Sequence, residues 1–381
     1  MATTPTRFLT TPSLRARFGP RLDTLGAALS QGDLLADAAV ESLSKVPHER
    51  LMAWLRAADE TGFSDAPDAL KALLVETRRV PTWADPEALS RGGELLRRAG
   101  NLAGLVLAAR CIVLGYASPG GNKPLMMSGQ LVQSAPKRLN ETARFVYAVS
   151  LPDGALPGRE GHALAVMVRL MHARVRVALA ARASWNAAAW GVPINQHDMA
   201  ATVVLFSHEL AEGLKALGLR VSESEECDLA ALWRYVGHVM GVHHDVLPAT
   251  PHDAAEYMLM VRATQGPPDD DARALMNALL QAPFQSPSEV VRARAARERA
   301  LLRAAAELLL EPSTARALGV VGGVVPPVLP VLRAALRMTA PLGVPRGRLR
   351  ALALAQGDKH WSSIGTEGRS VYGAGFQLPA M

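Results

Sequence analysis

Val166-Met-Val-Arg-Leu-Met-His-Ala-Arg-Val-Arg-Val-Ala-Leu179 sets apolar residues almost all the way round a helix and interrupts them with Arg169, His172 and Arg176. The segment sits inside a longer helical pattern from Gly161 to Ala183, too long for a strand and without alternation at period two. The spacing therefore predicts a strongly apolar helix.

Working outward, three-and-four spacing recurs along almost the whole chain. Asp33 starts a helix running through Leu43, and further helices are predicted over 65–79, 86–98 and 101–115. Ser118-Pro-Gly-Gly-Asn122 reads as a loop, and helical spacing resumes over 138–149, 161–183, 196–217, 224–241, 253–264, 269–280 and 286–310. There is no internal repeat and no strand–helix alternation. The expectation is one all-α domain over residues 33–355, with a mobile N-terminal arm over 1–32. The Gly- and Ser-rich stretch 356–381 is expected to be an irregular tail. The linker-like stretches 265–271 and 319–330 do not separate two composition regimes, so they do not divide the domain.

The composition agrees with a packed domain. Among 381 residues, 49% are hydrophobic and 20% charged, which excludes intrinsic disorder. Two cysteines, Cys111 and Cys227, exclude a disulfide scaffold and a four-cysteine zinc site. The first thirty residues hold no basic start followed by an apolar run. The longest uncharged stretch, Ala317 to Leu332, is 16 residues and is broken by glycine and proline. The expectation is a soluble protein of a reducing compartment, the cytoplasm, without a membrane span; peripheral contact of the 317–332 stretch with a membrane is the weaker reading.

The 41 Lys and Arg against 35 Asp and Glu give a net +6. That raises nucleic acid as a partner, but the densest run, Arg292, Arg294, Arg297, Arg299 and Arg303, falls on two helix faces without interleaved aromatics. No nucleic-acid partner is expected.

Nucleophile-elbow, phosphate-loop and dinucleotide motifs are absent. His208-Glu-Leu-Ala-Glu212 puts Glu where a zinc helix needs its second His, and His243-His244-Asp245 reads as a helix end.

The informative cluster is His172 with Arg169 and Arg176, three and four residues to either side and on its face. A lone His on an apolar helix is ordinarily a core histidine, but two neighbouring cations are costly to bury without an anion. A haem would answer both needs, iron taking the imidazole and propionates taking the guanidiniums. On another helix Arg138, Glu141 and Thr142 share one face, either as a solvated pair or as a polar cluster facing a pocket. Asn195 has the look of a helix N-cap, with Asp198 at the third position and Thr202 one turn beyond on a face that would reach the same pocket.

Five motifs in order resemble one family: Leu125-x-x-Ser-Gly129; Arg138-x-x-Glu-Thr142; Arg169-x-x-His-Ala-x-Val-Arg176; Gly191-x-Pro-Ile-Asn-Gln196-x-Asp198; and Trp233-Arg-Tyr-Val-Gly-x-x-x-Gly-Val-x-x-Asp245, ending at Pro248. This resembles the catalytic domain shared by latex-clearing proteins (rubber oxygenases) and MpaB-type ER-bound oxygenases, over roughly residues 33–248. The resemblance implies a non-covalent haem b in a globin-like helical core, with His172 as proximal iron ligand. It places Arg138 and Thr142 beside the distal side. Arg169, Arg176 and Thr202 stand as cofactor-binding candidates. Asn122 stands where rubber oxygenases carry a proposed Glu base, and Glu141 where they carry a Lys that caps iron.

Those departures make Glu141 the candidate base and, with the missing export signal, argue against rubber as substrate. The expected activity is haem-dependent oxygenation, with O2, of a hydrophobic alkene-containing small molecule. A non-catalytic haem carrier or gas sensor, and a haem-free helical enzyme using a His/Glu site, remain the rivals. The sequence leaves the oligomeric state open.

Overall fold

The computed structural model describes residues 4–128, 130–323, 325–339 and 347–372, with side chains described outside 130–134, 339 and 367–372. The described residues contain helices and turns and no strand. The elements used below are α1 (Pro20–Ala28), α2 (Leu34–Glu41), α3 (Asp68–Arg78), α4 (Glu94–Ala99), α5 (Gln130–Ser150) and α6 (Glu160–Ala180). They continue with α7 (Gln196–Val204), α8 (Glu223–Val239), α9 (Pro251–Thr264), α10 (Glu289–Leu309), α11 (Val328–Thr339) and α12 (Gly347–Tyr372). The protein is an all-α single helical domain.

As its all-round apolar character dictates, α6 is central. Residues 161–170 are all buried, and α2, α5 and α8 pack against the helix. His162, at its start, is fully buried; Nε2 lies 3.0 Å from the Thr77 carbonyl and Nδ1 has no partner. Burial, reinforced by the Arg78 charge, lowers its pKa to about 4, against the hydrogen bond to Thr77. A folded-state pKa below the unfolded value means that stability is complete above about 6.5 and is lost as pH falls toward 4. Apoprotein melting temperature should drop through that window, with His162 contributing up to ~1.4 kcal/mol per pH unit. In His162→Gln this part of the slope should vanish, as melts at pH 7 and pH 5 would show.

Both chain ends differ from the sequence expectation. The stretch 1–32 is not a loose arm in its described part: Leu22, Leu25, Ala28 and Leu29 of α1 and its end are each 1% exposed. Arg7 donates to Asp198 at 2.7 Å, and the backbone amides of Thr6 and Arg7 bond to Ala188 and Ala189. Apolar spacing in a short segment underreported how much of it the core could bury.

The expected irregular tail is helical through Tyr372, while residues 373–381 lie outside the described residues. Arg97 grips Asp358 with two hydrogen bonds of 2.7 and 2.6 Å, and buried Trp361 stacks on Tyr147. Gly357 explains the misreading. A Cβ there would stand 1.6 Å from the Arg97 carbonyl oxygen, so the glycine lets α12 cross α4 at close range rather than breaking the helix.

Two π-helical turns, Leu107–Cys111 and Leu205–Glu209, pack against each other. Between them Glu209, 1% exposed, accepts from Arg110 at 2.8 Å and Arg262 at 2.7 Å. Among the described residues no single helix is long and apolar enough to cross a membrane. The paired helices 86–99 and 101–116 approach the requirement, but they bend by 89° and bury Leu95, Leu96, Ala103 and Val106 in the core.

Candidate functional site

Around α6 the structure separates two groups that the sequence had placed together. One is a set of clasps. Arg169, 3% exposed, donates to Asp33 at 2.7 and 3.1 Å, to Glu76 at 2.8 Å and to the Val239 carbonyl at 3.2 Å. It thereby ties α6 to the starts of α2 and to α3 and α8. Arg176 donates to Asp37 at 2.8 Å and to the Ile194 carbonyl at 2.8 Å.

The anions that these guanidiniums require are thus the protein's own carboxylates. The expectation that propionates receive Arg169 and Arg176 is corrected on that ground, since a charge already paired and buried has no need of a second anion. Asp33 and Asp37, at i, i+4 at the start of α2, face Arg169 and Arg176, at i, i+7 on α6.

The motif around Asn195 is a second clasp. Gln196, fully buried, donates to the carbonyls of Gly32 and Gly241 at 3.0 and 2.9 Å and accepts from the His243 amide at 2.8 Å. Asn195 caps α7 by accepting from the Asp198 amide. Asp198 holds Arg7 at 2.7 Å and His197 at 3.0 Å. Burial pushes the Asp198 carboxyl upward, but Arg7 and His197 together hold it well below the usual range. Ile194 adopts φ +50°, rare for a β-branched residue, and the hydrogen bond from Arg176 helps to hold it there. Gly241, at φ +81°, leaves room for the Arg169–Asp33 pair; a Cβ would come within 2.3 Å of Asp33 Oδ2.

The other group is His172 with Arg138, Glu141 and Tyr116, on α5, α6 and the helix before the 118–122 loop. His172 Nδ1 is buried without a hydrogen-bond partner, while part of the residue keeps accessible surface. Burial first, then the Arg176 and Arg138 charges, lowers its pKa to about 4, so the ring is neutral at pH 7. The Arg138 charge also acts on Tyr116, whose phenol burial pushes up, and on Glu141.

Glu141 is 9% exposed, and its carboxylate lies 3.9 Å from Lys137. Burial raises its pKa, opposed by Lys137, Arg138 and Arg144. Thr142 is half-buried on the next position of the same helix. A neutral imidazole can take a metal ion, and a buried carboxyl whose pKa is raised is better able to hold a proton than a free one.

The remaining expectations fall elsewhere. Thr202 is exposed, and its hydroxyl donates to the Asp198 carbonyl at 2.8 Å rather than joining His172. Asn122 is fully buried, its amide bonded to the Tyr116 carbonyl at 3.2 Å and to Asp269 at 2.8 Å. His243 and His244 are exposed on the turn after α8, and no group of three metal-capable side chains gathers among the described residues. Arg292 and Arg303 donate to nearby backbone carbonyls, and Arg299 covers Phe284. A cavity of about 240 Å³ lined by Arg21, Leu25, Leu247 and Tyr257 has no lining residue from α5 or α6.

Comparison with known proteins agrees with this architecture. The latex clearing protein LCP in its closed state superposes with a TM-score of 0.68 at 21% identity, covering 89% of this chain and 91% of that one. A rubber oxygenase of Streptomyces sp. (strain K30) is 28% identical over 217 residues, 56% of this chain. The match spans about half of that relative, 53% of its length. The family described as ER-bound oxygenase mpaB/B'/Rubber oxygenase, catalytic domain, matches residues 96–340. That span covers more than half of the chain and holds His172, Arg138 and Glu141, and the protein therefore belongs to this oxygenase catalytic-domain family.

Proposed function

We propose that the protein binds haem b non-covalently through His172 and oxygenates a hydrophobic, alkene-containing small molecule with O2. The observation that carries this reading is the His172 ring, neutral at pH 7 with a buried Nδ1 that no protein group occupies, in a family of oxygenases. An imidazole of this kind would suit an iron ligand; His162 also has a buried, unpartnered Nδ1, but its Nε2 is tied to the Thr77 carbonyl in the core, whereas His172 lies within reach of the Arg138 charge. Haem, when bound, supplies the redox chemistry of oxygen insertion.

The chain's own residues do the rest. His172 holds the group and sets its electronics. Arg138 and Thr142, one turn apart on α5, would border the bound group; Arg138 places a positive charge within reach of His172 and Glu141. Glu141 has the raised pKa of a group that takes or relays a proton at its carboxylate oxygen. Asn122, already committed to Asp269 and Tyr116, has no carboxylate to serve as base, which turns the reading away from rubber and toward a smaller alkene.

Titrating haem into purified protein should produce a Soret band, and a branched isoprenoid alkene should then drive O2 uptake. Glu141→Gln should keep the spectrum and lower turnover by ~10²-fold or more. Unchanged uptake in Glu141→Gln would remove it as the base, and a protein that takes up no haem would overturn the reading.

A further inference from the structure

The formal charge of +6 is not spread over the molecule. Residues 312–357 contain Arg316, Arg333, Arg337, Arg346, Arg348 and Arg350 and no Asp or Glu. With those six set aside, 35 basic residues face 35 acidic ones in the rest of the chain. The whole excess therefore belongs to one 46-residue run.

That run also holds the most exposed large apolar side chains outside the chain's early helices. Val328, Val331 and Met338 of α11 are 57%, 67% and 79% exposed, and Ala335 is exposed with them. At about 100° per residue these four positions fall within roughly 80° of arc and form one continuous outward stripe. The other side of the helix is also apolar: Leu329 is buried, Leu332 and Leu336 are half-buried, and α11 packs on α10. Arg333 donates to the Ala216 carbonyl at 3.0 Å and Arg337 lies over Gly218, which fixes α11 against the domain with the stripe outward. Val321 and Val325 just before it, and Leu349 and Leu352 after it, are exposed in the same acid-free run.

A single exposed Val is ordinary, whereas a helix-long apolar stripe in a cationic run is not. Arg316, Arg337 and Arg348 are exposed, and a second copy docked here would set like charges against each other, so the charge argues against self-association. The stripe carries no aromatic or hydrogen-bonding side chain to fix the register of a protein partner. Exposed aliphatic side chains beside the exposed Arg316, Arg337 and Arg348 suit an anionic, laterally fluid surface, whereas Arg350 is paired with Glu94.

We propose that α11 docks the protein on an anionic lipid bilayer, with Val328, Val331, Ala335 and Met338 entering the interface and the exposed arginines of the run meeting lipid phosphates. The proposal does not depend on the cofactor or on turnover.

The test is co-sedimentation of the full chain with phosphatidylcholine vesicles, alone or containing ~30% phosphatidylserine, at low and high salt. Binding should be at least ~10-fold stronger to the anionic vesicles and should weaken with salt. Val331→Asp and Met338→Asp should each weaken it by ~10-fold or more, and Arg348→Gln, at an exposed position, by ~5-fold, with melting temperatures unchanged. Leu259→Asp, at a 43% exposed position on α9, should leave binding intact. No binding to anionic vesicles, equal binding to neutral ones, or lipid-free dimers dissolved by Val331→Asp would each overturn the proposal.

Discussion

His172→Ala is expected to abolish the Soret band of the haem-loaded protein and, with it, turnover. An axial ligand contributes more than the surrounding hydrogen bonds, whose removal alone typically costs 10- to 100-fold in affinity, so retention of haem should fall by at least ~100-fold. Exogenous imidazole, small enough to fill the space that Ala leaves, should restore part of the spectrum. The apoprotein supplies an independent reading. His172 Nδ1 has no hydrogen bond to lose, so truncation should cost the apoprotein little. A packed core histidine would behave the other way, with apoprotein stability falling by ~2–4 kcal/mol and no change in any haem spectrum. Spectral titration and apoprotein melts of the same variant separate the two.

Arg169→Met should be the most destabilising single substitution in the clasp. It removes the cation from Asp33, 4% exposed, and from Glu76, and leaves a buried carboxylate without compensation. Breaking a buried pair from one side costs ~3–5 kcal/mol, equivalent to a melting temperature lower by about 5 °C in a domain of this size. The loss should appear equally in apoprotein and haem-loaded protein. If Arg169 instead held a haem propionate, the apoprotein would melt normally and only haem affinity would fall. Asp33→Asn in the Arg169→Met background should recover part of the loss, because it removes the stranded charge.

Most helices were legible because their signals are local. Asp33, Asn195 and Asp269 sit at the N-caps that their spacing foretold, and α6 and α8 end within three residues of the predicted bounds. The candidate site was legible in part. His172, Arg138 and Glu141 do share an electrostatic environment. The partners of Arg169 and Arg176 were not legible, because Asp33 and Asp37 lie 136 and 139 residues away and spacing carries no information over that distance. Thr202 had the right spacing and an outward position. Gly357 had the composition of a tail and the role of a helix crossing.

By itself the sequence determined the helical class, most element boundaries, the family resemblance and the residue on which the cofactor reading rests. Those follow from periodicity, capping and short motifs, each set within a few turns of chain. The tertiary structure alone decided which charges are structural and which face solvent. It gave Arg169 and Arg176 to carboxylates of the chain, left His172 Nδ1 unpartnered, and turned Val328, Val331 and Met338 outward. The reason is physical: the worth of a buried charge depends on what surrounds it in space, and that is fixed by contacts between segments far apart in sequence.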